Sequence, residues 1–251
     1  MHATLKPLVL IHGFTGSPRV WDLVRPRLER DFEVLTPALP GHLGGPPLPE
    51  EITPHTMADA VARCMDEAGW ETAYIVGNSL GGALALRLAA RGRARAVIGL
   101  APGGGWLDDR VRDATLEWFA GMHELVRGAA PRAAWIASSP ERRRQVLSSM
   151  SERHEHVPAE LVADVIRAAA LCVETPRMIE VARRSDWALG PITCPIRMVW
   201  GTEDKLLPWP AAAERYRRDL PHAEWIELDG VGHCPQVDVP LETAELISGF
   251  A

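Results

Sequence analysis

A serine flanked by glycines stands where a short β-rich run gives way to a helical pattern. In the segment Gly77-Asn78-Ser79-Leu80-Gly81, the serine occupies a tight corner between a strand and a helix, where glycines let the two backbones pass. A hydroxyl at such a corner is placed to act as a nucleophile. Because an unassisted serine is a weak nucleophile, it requires a base, an acid that orients the base, and donors for the developing negative charge.

Candidates for the acid and the base follow two later strand-like runs. Asp204 comes after the run from Ile196 to Trp200, and His233 lies on a glycine-rich loop after the run from Trp225 to Leu228. Open α/β sheets bind ligands at the carboxyl ends of their strands. The sequence therefore predicts that Asp204 and His233 meet Ser79 at one sheet edge.

Other acids and histidines compete for these roles. Glu203 and Asp229 are alternatives to Asp204, which is favoured by its offset from the glycine that ends the preceding strand. His12 follows the first strand-like run, and we expect it to fix a loop, because His233 has the better context for a base. His42 lies among turn residues and is expected to be structural.

Backbone donors for an oxyanion are predicted at two places. One is the amide of Leu80, directly after the candidate nucleophile. The other is the amide of Phe14 in the loop His12-Gly13-Phe14, which follows the first strand-like run. Two such N–H groups can form an oxyanion hole, which stabilises the negative charge that develops when a serine attacks a carbonyl carbon.

Strand-like and helical patterns alternate, which predicts an α/β fold with a mostly parallel sheet of about six strands and helices on both faces. A helix start is expected at Ser17-Pro18, and a capping box is expected from Thr56 to Asp59. The six strand-like runs are Leu8 to Ile11, Phe32 to Leu35, Ala73 to Val76, Ala96 to Ala101, Ile196 to Trp200 and Trp225 to Leu228.

Only helical patterns occur between residues 103 and 190, at 113–127, 131–150 and 158–173. Glycine and proline bound this region, as they would a hinged lid. We expect an α/β core at 1–102 and 191–251 and a helical cap inserted at 103–190. The alternative is that these helices are ordinary crossovers that cover one face of the sheet.

Composition excludes several function classes. The chain has 251 residues, 47% of them hydrophobic, and a formal net charge of -6, which argues against a nucleic-acid partner. No signal peptide or membrane span is visible, so a cytoplasmic protein without a membrane partner is expected. The four separated cysteines, Cys64, Cys172, Cys194 and Cys234, give no metal-site or disulfide pattern and are expected to be free thiols. No metal or cofactor is expected, and the oligomeric state stays open.

Four features together resemble the α/β-hydrolase superfamily over nearly the whole chain, and they stand in family order. They are the loop His12-Gly13-Phe14, the corner at Ser79, Asp204 after its strand and His233 on its glycine-rich loop. The resemblance implies a nucleophile at Ser79, an acid at Asp204, a base at His233 and a helical cap. Two features differ from the family pattern. The leading antiparallel hairpin is missing or reduced to residues 3–6, and the loop after the second strand lacks its usual aspartate.

The resemblance implies a serine hydrolase with a small-molecule substrate as its partner. The large apolar residues of the helical region favour a small to medium hydrophobic ester as that substrate. Trp106, Trp118, Trp135 and Trp209 are candidates for the substrate pocket. Ordinary helix packing is the alternative for such residues.

Other reactions can use the same triad. Ser79 in place of an aspartate argues against dehalogenase and epoxide-hydrolase chemistry. Hydrolysis of C–C bonds and a menaquinone-synthase-like elimination remain alternatives, although Ala83 stands where that synthase usually has an arginine. Cofactor-free peroxidase activity is a further option. A non-catalytic, hydrolase-like binding protein would be expected to have a damaged triad, which this sequence does not show.

Overall fold

The computed structural model describes residues 5–251 and contains a six-stranded, all-parallel sheet with the strand order β2-β1-β3-β4-β5-β6. The predicted α/β fold is confirmed. Residues 3 and 4 of the suggested leading hairpin lie outside the described residues. The strands are β1 (Lys6–Ile11), β2 (Phe32–Leu35), β3 (Ala73–Asn78), β4 (Ala94–Leu100), β5 (Ile196–Gly201) and β6 (Glu224–Leu228).

Helices cover both faces of the sheet. Three short 3-10 segments occur at Pro18–Trp21, Ala130–Arg132 and Ala211–Ala213. Within residues 5–251, no helix is long and apolar enough to cross a bilayer. The α-helices are α1 (Arg25–Leu28), α2 (Thr56–Glu67), α3 (Leu80–Ala90), α4 (Asp109–Val126), α5 (Ala133–Ala137), α6 (Pro140–Leu147), α7 (Ala159–Leu171), α8 (Thr175–Arg184), α9 (Glu214–Asp219), α10 (Pro235–Asp238) and α11 (Pro240–Ser248).

Two apolar layers cover the sheet, one on each face. Leu8 and Leu10 of β1 pack in the layer that includes residues of α1 and α11. Val9 and Ile11 of the same strand pack in the layer that includes residues of α2 and α3. Successive side chains of a strand point to opposite faces, so a strand covered on both faces is apolar along its whole length.

Of the two predicted helix starts, one is confirmed and one is wrong. Ser17 caps the 3-10 segment, and its hydroxyl accepts a hydrogen bond from the Arg19 amide at 3.2 Å. Thr56 does not cap α2, because it is the first helical residue and its Oγ1 accepts from the amide of Thr53 at 2.9 Å. The Thr56 hydroxyl thus accepts a hydrogen bond within the preceding turn and does not cap the amides of α2.

The region between β4 and β5 holds five α-helices, α4 to α8, and no strand. The helix predicted at 131–150 is two helices, since Ser139 and Pro140 begin a second one. Ser139 Oγ accepts from the Arg142 amide at 3.4 Å, and Pro140 occupies the first turn, which favours a helix start. α8 had no counterpart among the predicted helices. A lid role for residues 103–190 stays a prediction.

The parallel sheet determines where the candidate residues lie. Ser79 follows β3 directly, Asp204 follows β5, and His233 follows β6. Because parallel strands end at the same edge of the sheet, all three residues leave the sheet on one side. The loop from Gly13 follows β1 at this same edge.

Candidate active site

Ser79 lies at a strained corner between β3 and α3. Its backbone has φ 56° and ψ -119°, a conformation that costs a residue with a side chain roughly 1–3 kcal/mol. Hydrogen bonds of the main chain hold it there. The Ser79 amide donates to Leu100 O at 3.0 Å, and the Ser79 carbonyl accepts from the amides of Ala83 and Gly103. The side chain is nearly buried, with 8% of its residue surface exposed.

The neighbouring glycines are required by the close passage of backbones at this corner. A Cβ added to Gly77 would lie 2.0 Å from the carbonyl oxygen of Gly81. A Cβ added to Gly81 would lie 2.1 Å from the carbonyl oxygen of Ile11, which ends β1. Both contacts are with backbone oxygens, which cannot shift as the end of a flexible side chain can. The two glycines therefore allow the corner to form and allow α3 to pack against β1.

We expect Gly81→Ala to destabilise the protein by about 3 kcal/mol or more, because β1 and α3 would have to separate. The matched control is Gly121→Ala, since a Cβ at Gly121 in α4 meets no atom within 4 Å. That control should stabilise the protein by about 0.5 to 1 kcal/mol, the helix preference for alanine over glycine. Urea denaturation measures both, and equal effects of the two substitutions would contradict the steric account.

Asp204 and His233 form a buried carboxylate–imidazole pair. His233 Nδ1 lies 2.8 Å from Asp204 Oδ2, and the two residues are 3% and 4% exposed, respectively. The other carboxylate oxygen, Oδ1, accepts from the amides of Leu206 at 2.9 Å and Leu207 at 2.8 Å. These contacts hold the acid so that His233 donates Nδ1–H to it, which leaves Nε2 free to accept a proton.

The structure distinguishes Asp204 from its competitors. Glu203 and Asp229 are both exposed, whereas Asp204 contacts the imidazole. His233 and Ser79 line one cavity. No hydrogen bond joins Ser79 Oγ to His233 in residues 5–251; such bonds are often long in a ligand-free site and tighten with substrate.

Asn78, which the sequence did not single out as functional, ties the nucleophile corner to the histidine loop. Its Nδ2 donates to Leu100 O at 3.0 Å and to His233 O at 2.9 Å. Its Oδ1 accepts from Gln236 Nε2 at 3.1 Å. A polar residue directly before the serine is the only signal that the sequence contains for this role.

Asp238 is a second missed residue, and it joins the histidine loop to the helical region. Its Oδ2 accepts from the amides of Gly232 at 2.6 Å and Glu152 at 3.1 Å. Its Oδ1 accepts from the Arg153 amide at 3.1 Å and from the Ser151 hydroxyl. With four donors, this 2% exposed carboxylate is well satisfied. It positions the loop that carries His233.

His12 fixes the loop after β1, as expected from the sequence. Its Nε2 accepts from the Leu39 amide at 3.1 Å, and its Nδ1 donates to Gly13 O at 2.9 Å. Burial lowers the pKa of His12 to about 3, so the ring is neutral and can accept and donate at once. Burial likewise lowers the pKa of His42 to about 4. His12 and His42 are therefore structural.

The loop fixed by His12 lies against the nucleophile. A Cβ on Gly13 would lie 3.2 Å from the Ser79 Cβ, which places the following residue, Phe14, beside the serine. Leu80 is the first residue of α3. Amides in the first turn of a helix have no partner within the helix, so the Leu80 N–H is available to a ligand.

Two cavities meet at Ser79. The narrow lobe, of about 110 Å³, is apolar. The wide lobe, of about 300 Å³, contains His233. Both lobes are lined by Phe14, Ser79 and Phe119, and the two phenylalanine rings are in edge contact with centroids 4.9 Å apart. Ser79 thus lies at the junction of two separate cavities. This position suits a nucleophile that attacks a bond between two parts of a substrate.

Two of the four predicted pocket tryptophans line the lobes, and two do not. Trp106 lines the narrow lobe and Trp118 the wide lobe. Trp135 was predicted wrongly, since it is 60% exposed and Arg142 covers its ring at 4.1 Å. Trp209 was also predicted wrongly, because it packs between two other tryptophan rings, Trp200 and Trp225, and lines neither lobe.

Comparison with known proteins shows the family. The model of the alpha/beta hydrolase family matches residues 8–246. The chain belongs to the alpha/beta hydrolase family. This alpha/beta hydrolase is 32% identical over 198 residues to epoxide hydrolase EphH of Mycobacterium tuberculosis, covering 77% of this chain and 92% of the relative. It is also 32% identical over 253 residues to a pimeloyl-[acyl-carrier protein] methyl ester esterase of Aromatoleum aromaticum, covering 96% of each.

A solved structure supports the fold of this alpha/beta hydrolase. A thermophilic esterase from Thermogutta terrifontis superposes with a TM-score of 0.75 at 22% sequence identity, and the match covers 98% of this chain and 89% of the esterase. At that identity the likeness concerns the fold alone.

Proposed function

We propose that this alpha/beta hydrolase is a serine esterase that cleaves small to medium hydrophobic carboxylic esters. The observation that carries the proposal is the contact between Asp204 Oδ2 and His233 Nδ1 at 2.8 Å, because His233 lines the same cavity as Ser79. The roles are nucleophile for Ser79, base for His233 and orienting acid for Asp204.

Acylation begins when Ser79 Oγ attacks the ester carbonyl carbon and its proton passes to His233 Nε2. The carbonyl oxygen becomes an oxyanion, which accepts hydrogen bonds from the amides of Phe14 and Leu80. One such donor contributes about 3 kcal/mol to the stability of the transition state. The bond from the carbonyl carbon to the alcohol oxygen then breaks, and His233 gives its proton to that oxygen. The products are the free alcohol and acyl-Ser79.

Deacylation repeats these steps with water. His233 Nε2 takes a proton from a water molecule as the water oxygen bonds to the acyl carbon. The bond to Ser79 Oγ breaks, the proton returns to Ser79, and the carboxylic acid leaves. Asp204 supports the imidazolium in both halves of the reaction and stays ionised.

The apolar lining of the narrow lobe supports a hydrophobic substrate, since its walls are mainly hydrocarbon. These walls include Met57, Leu84, Trp106, Leu116 and Met178. Leu116 and Met178 come from α4 and α8, so the region between β4 and β5 encloses part of the site. We propose that residues 103–190 form a lid over a core of residues 1–102 and 191–251.

The relatives include an esterase and an epoxide hydrolase, and the residue at the nucleophile corner favours ester hydrolysis. The Aromatoleum aromaticum relative is a methyl ester esterase by name and spans almost the whole chain. The Mycobacterium tuberculosis relative is an epoxide hydrolase, a reaction that in this superfamily uses an aspartate nucleophile. Because this chain has Ser79 at that corner, an acyl-serine intermediate is the better supported chemistry.

A panel of p-nitrophenyl esters with acyl chains of increasing length tests the proposal. We expect a maximum of kcat/KM at a short or medium acyl chain, because the narrow lobe measures only about 110 Å³, and a fall for long chains. Gly121→Ala, outside the site, should give the same profile as the native protein. Inactivity on every ester would contradict the proposal and favour C–C cleavage, elimination or a non-catalytic role.

A further inference from the structure

Asp164 is a buried carboxylate in the wall of the wide lobe, and the proposed mechanism does not use it. It lies on α7, is 7% exposed, and shares this cavity with Ser79 and His233. Its Oδ2 accepts a hydrogen bond from the hydroxyl of Ser17, which also lines the lobe.

This carboxylate has fewer partners than the other buried carboxylates of the site. Asp204 has three hydrogen bonds and Asp238 has four, whereas Asp164 has one within the described residues 5–251. Burying a charge is costly unless donors compensate it. Asp164 Oδ1 is therefore able to accept a further donor.

The Arg19 guanidinium is within ion-pair distance of Asp164 but does not hydrogen-bond to it. Arg19 Nη1 lies 3.9 Å from Asp164 Oδ1, which is beyond hydrogen-bond distance, and the Arg19 side chain is 45% exposed. Its Nε is bonded to Asp22 at 2.9 Å. The described residues that line the wide lobe include no lysine or arginine. The lobe thus has a carboxylate and no cation in its wall.

The reaction indicates which part of an ester occupies this lobe. His233 must give its proton to the departing alcohol oxygen, so the alcohol leaves on the side of His233. His233 lines the wide lobe and is not among the residues of the narrow lobe. The alcohol part therefore lies in the wide lobe with Asp164, and the acyl part lies in the apolar narrow lobe.

We propose that Asp164 selects esters whose alcohol part carries a positively charged hydrogen-bond donor, such as a protonated amine, and disfavours a carboxylate. The inference rests on the proposed esterase function. A donor on the alcohol would reach Asp164 Oδ1 and complete the partners of the buried carboxylate. A hydrogen bond to a charged group of this kind accounts for about a tenfold or larger preference.

Three butanoate esters with matched alcohols test this inference. They are the 3-(dimethylamino)propyl ester, which is protonated at pH 7, its neutral isostere the 4-methylpentyl ester, and the anionic 3-carboxypropyl ester. In the native protein we expect kcat/KM to be about tenfold higher for the ammonium ester than for the isostere, and about tenfold lower for the carboxylate ester. Asp164→Asn should bring the ammonium-to-isostere ratio to within about twofold of one.

The control is Glu160→Gln, which removes an exposed carboxylate from the same helix and should keep the native ratio. Hydrolysis of the isostere without a preference for the ammonium ester would overturn the role of Asp164 and leave the esterase function standing. An ammonium-to-isostere ratio that is unchanged in Asp164→Asn would likewise overturn the role of Asp164 and leave the esterase function standing. If Asp164→Asn does not fold, the kcat/KM ratios of the native protein for the three esters test the role of Asp164 by themselves. If the protein hydrolyses none of the three esters, both proposals are overturned.

Discussion

Ser79→Ala is expected to lower ester hydrolysis by at least about 10³-fold, because it removes the oxygen that forms the proposed acyl intermediate. The free energy of unfolding should change by less than about 1 kcal/mol, since hydrogen bonds of the Ser79 main chain hold the corner. Steady-state hydrolysis of a p-nitrophenyl ester and urea denaturation of the same sample measure the two effects.

The matched control for this substitution is Ser138→Ala. Ser138 is exposed, and its hydroxyl donates to Trp135 O at 2.7 Å, outside both lobes. It should keep hydrolysis within about twofold of native, as surface changes usually do. A Ser79→Ala protein that is folded and retains a tenth or more of the native rate would remove Ser79 from its proposed role.

Asp204→Asn is expected to lower kcat by about 10⁴-fold, the effect of an asparagine at this place in a serine triad. The asparagine amide can donate to His233 Nδ1, which stabilises the tautomer with the proton on Nε2. That tautomer cannot take the proton of Ser79. The pre-steady-state release of p-nitrophenol measures the loss in the acylation step itself.

Glu203→Gln is the control for Asp204→Asn, because it changes an exposed carboxyl group one residue away. It should leave kcat within about twofold of native. Comparable losses for the two substitutions would contradict the assignment of the acid. So would a large loss for Asp229→Asn without one for Asp204→Asn.

The sheet and the nucleophile corner were predictable because their signals are local. β2 has the predicted bounds, Phe32–Leu35, since a short, mainly apolar run is sufficient to indicate it. The corner at Ser79 was predictable because the glycine spacing reflects a close approach of backbones within five residues. Chain order and parallel strands then placed Asp204 and His233 at the same edge.

The pocket and its supporting carboxylates were not predictable because they depend on distant contacts. Asp164 meets Ser17 across 147 positions and Asp238 meets Ser151 across 87, and no spacing in the sequence encodes these pairs. Trp135 and Trp209 failed as pocket residues because residue type does not reveal which face of an element meets the cavity. The break between α5 and α6 was missed although Ser139-Pro140 is a helix-start signal.

We propose that Ser79 is an activated nucleophile, and labelling with a fluorophosphonate probe followed by peptide mass spectrometry is the sharpest test of that role. We expect close to one label per chain, located on Ser79, with labelling slowed strongly in Asp204→Asn and lost when the protein is unfolded in urea before the probe is added. Folded protein that leaves Ser79 unlabelled, or that labels Ser79 no faster than its exposed serines, would contradict the claim.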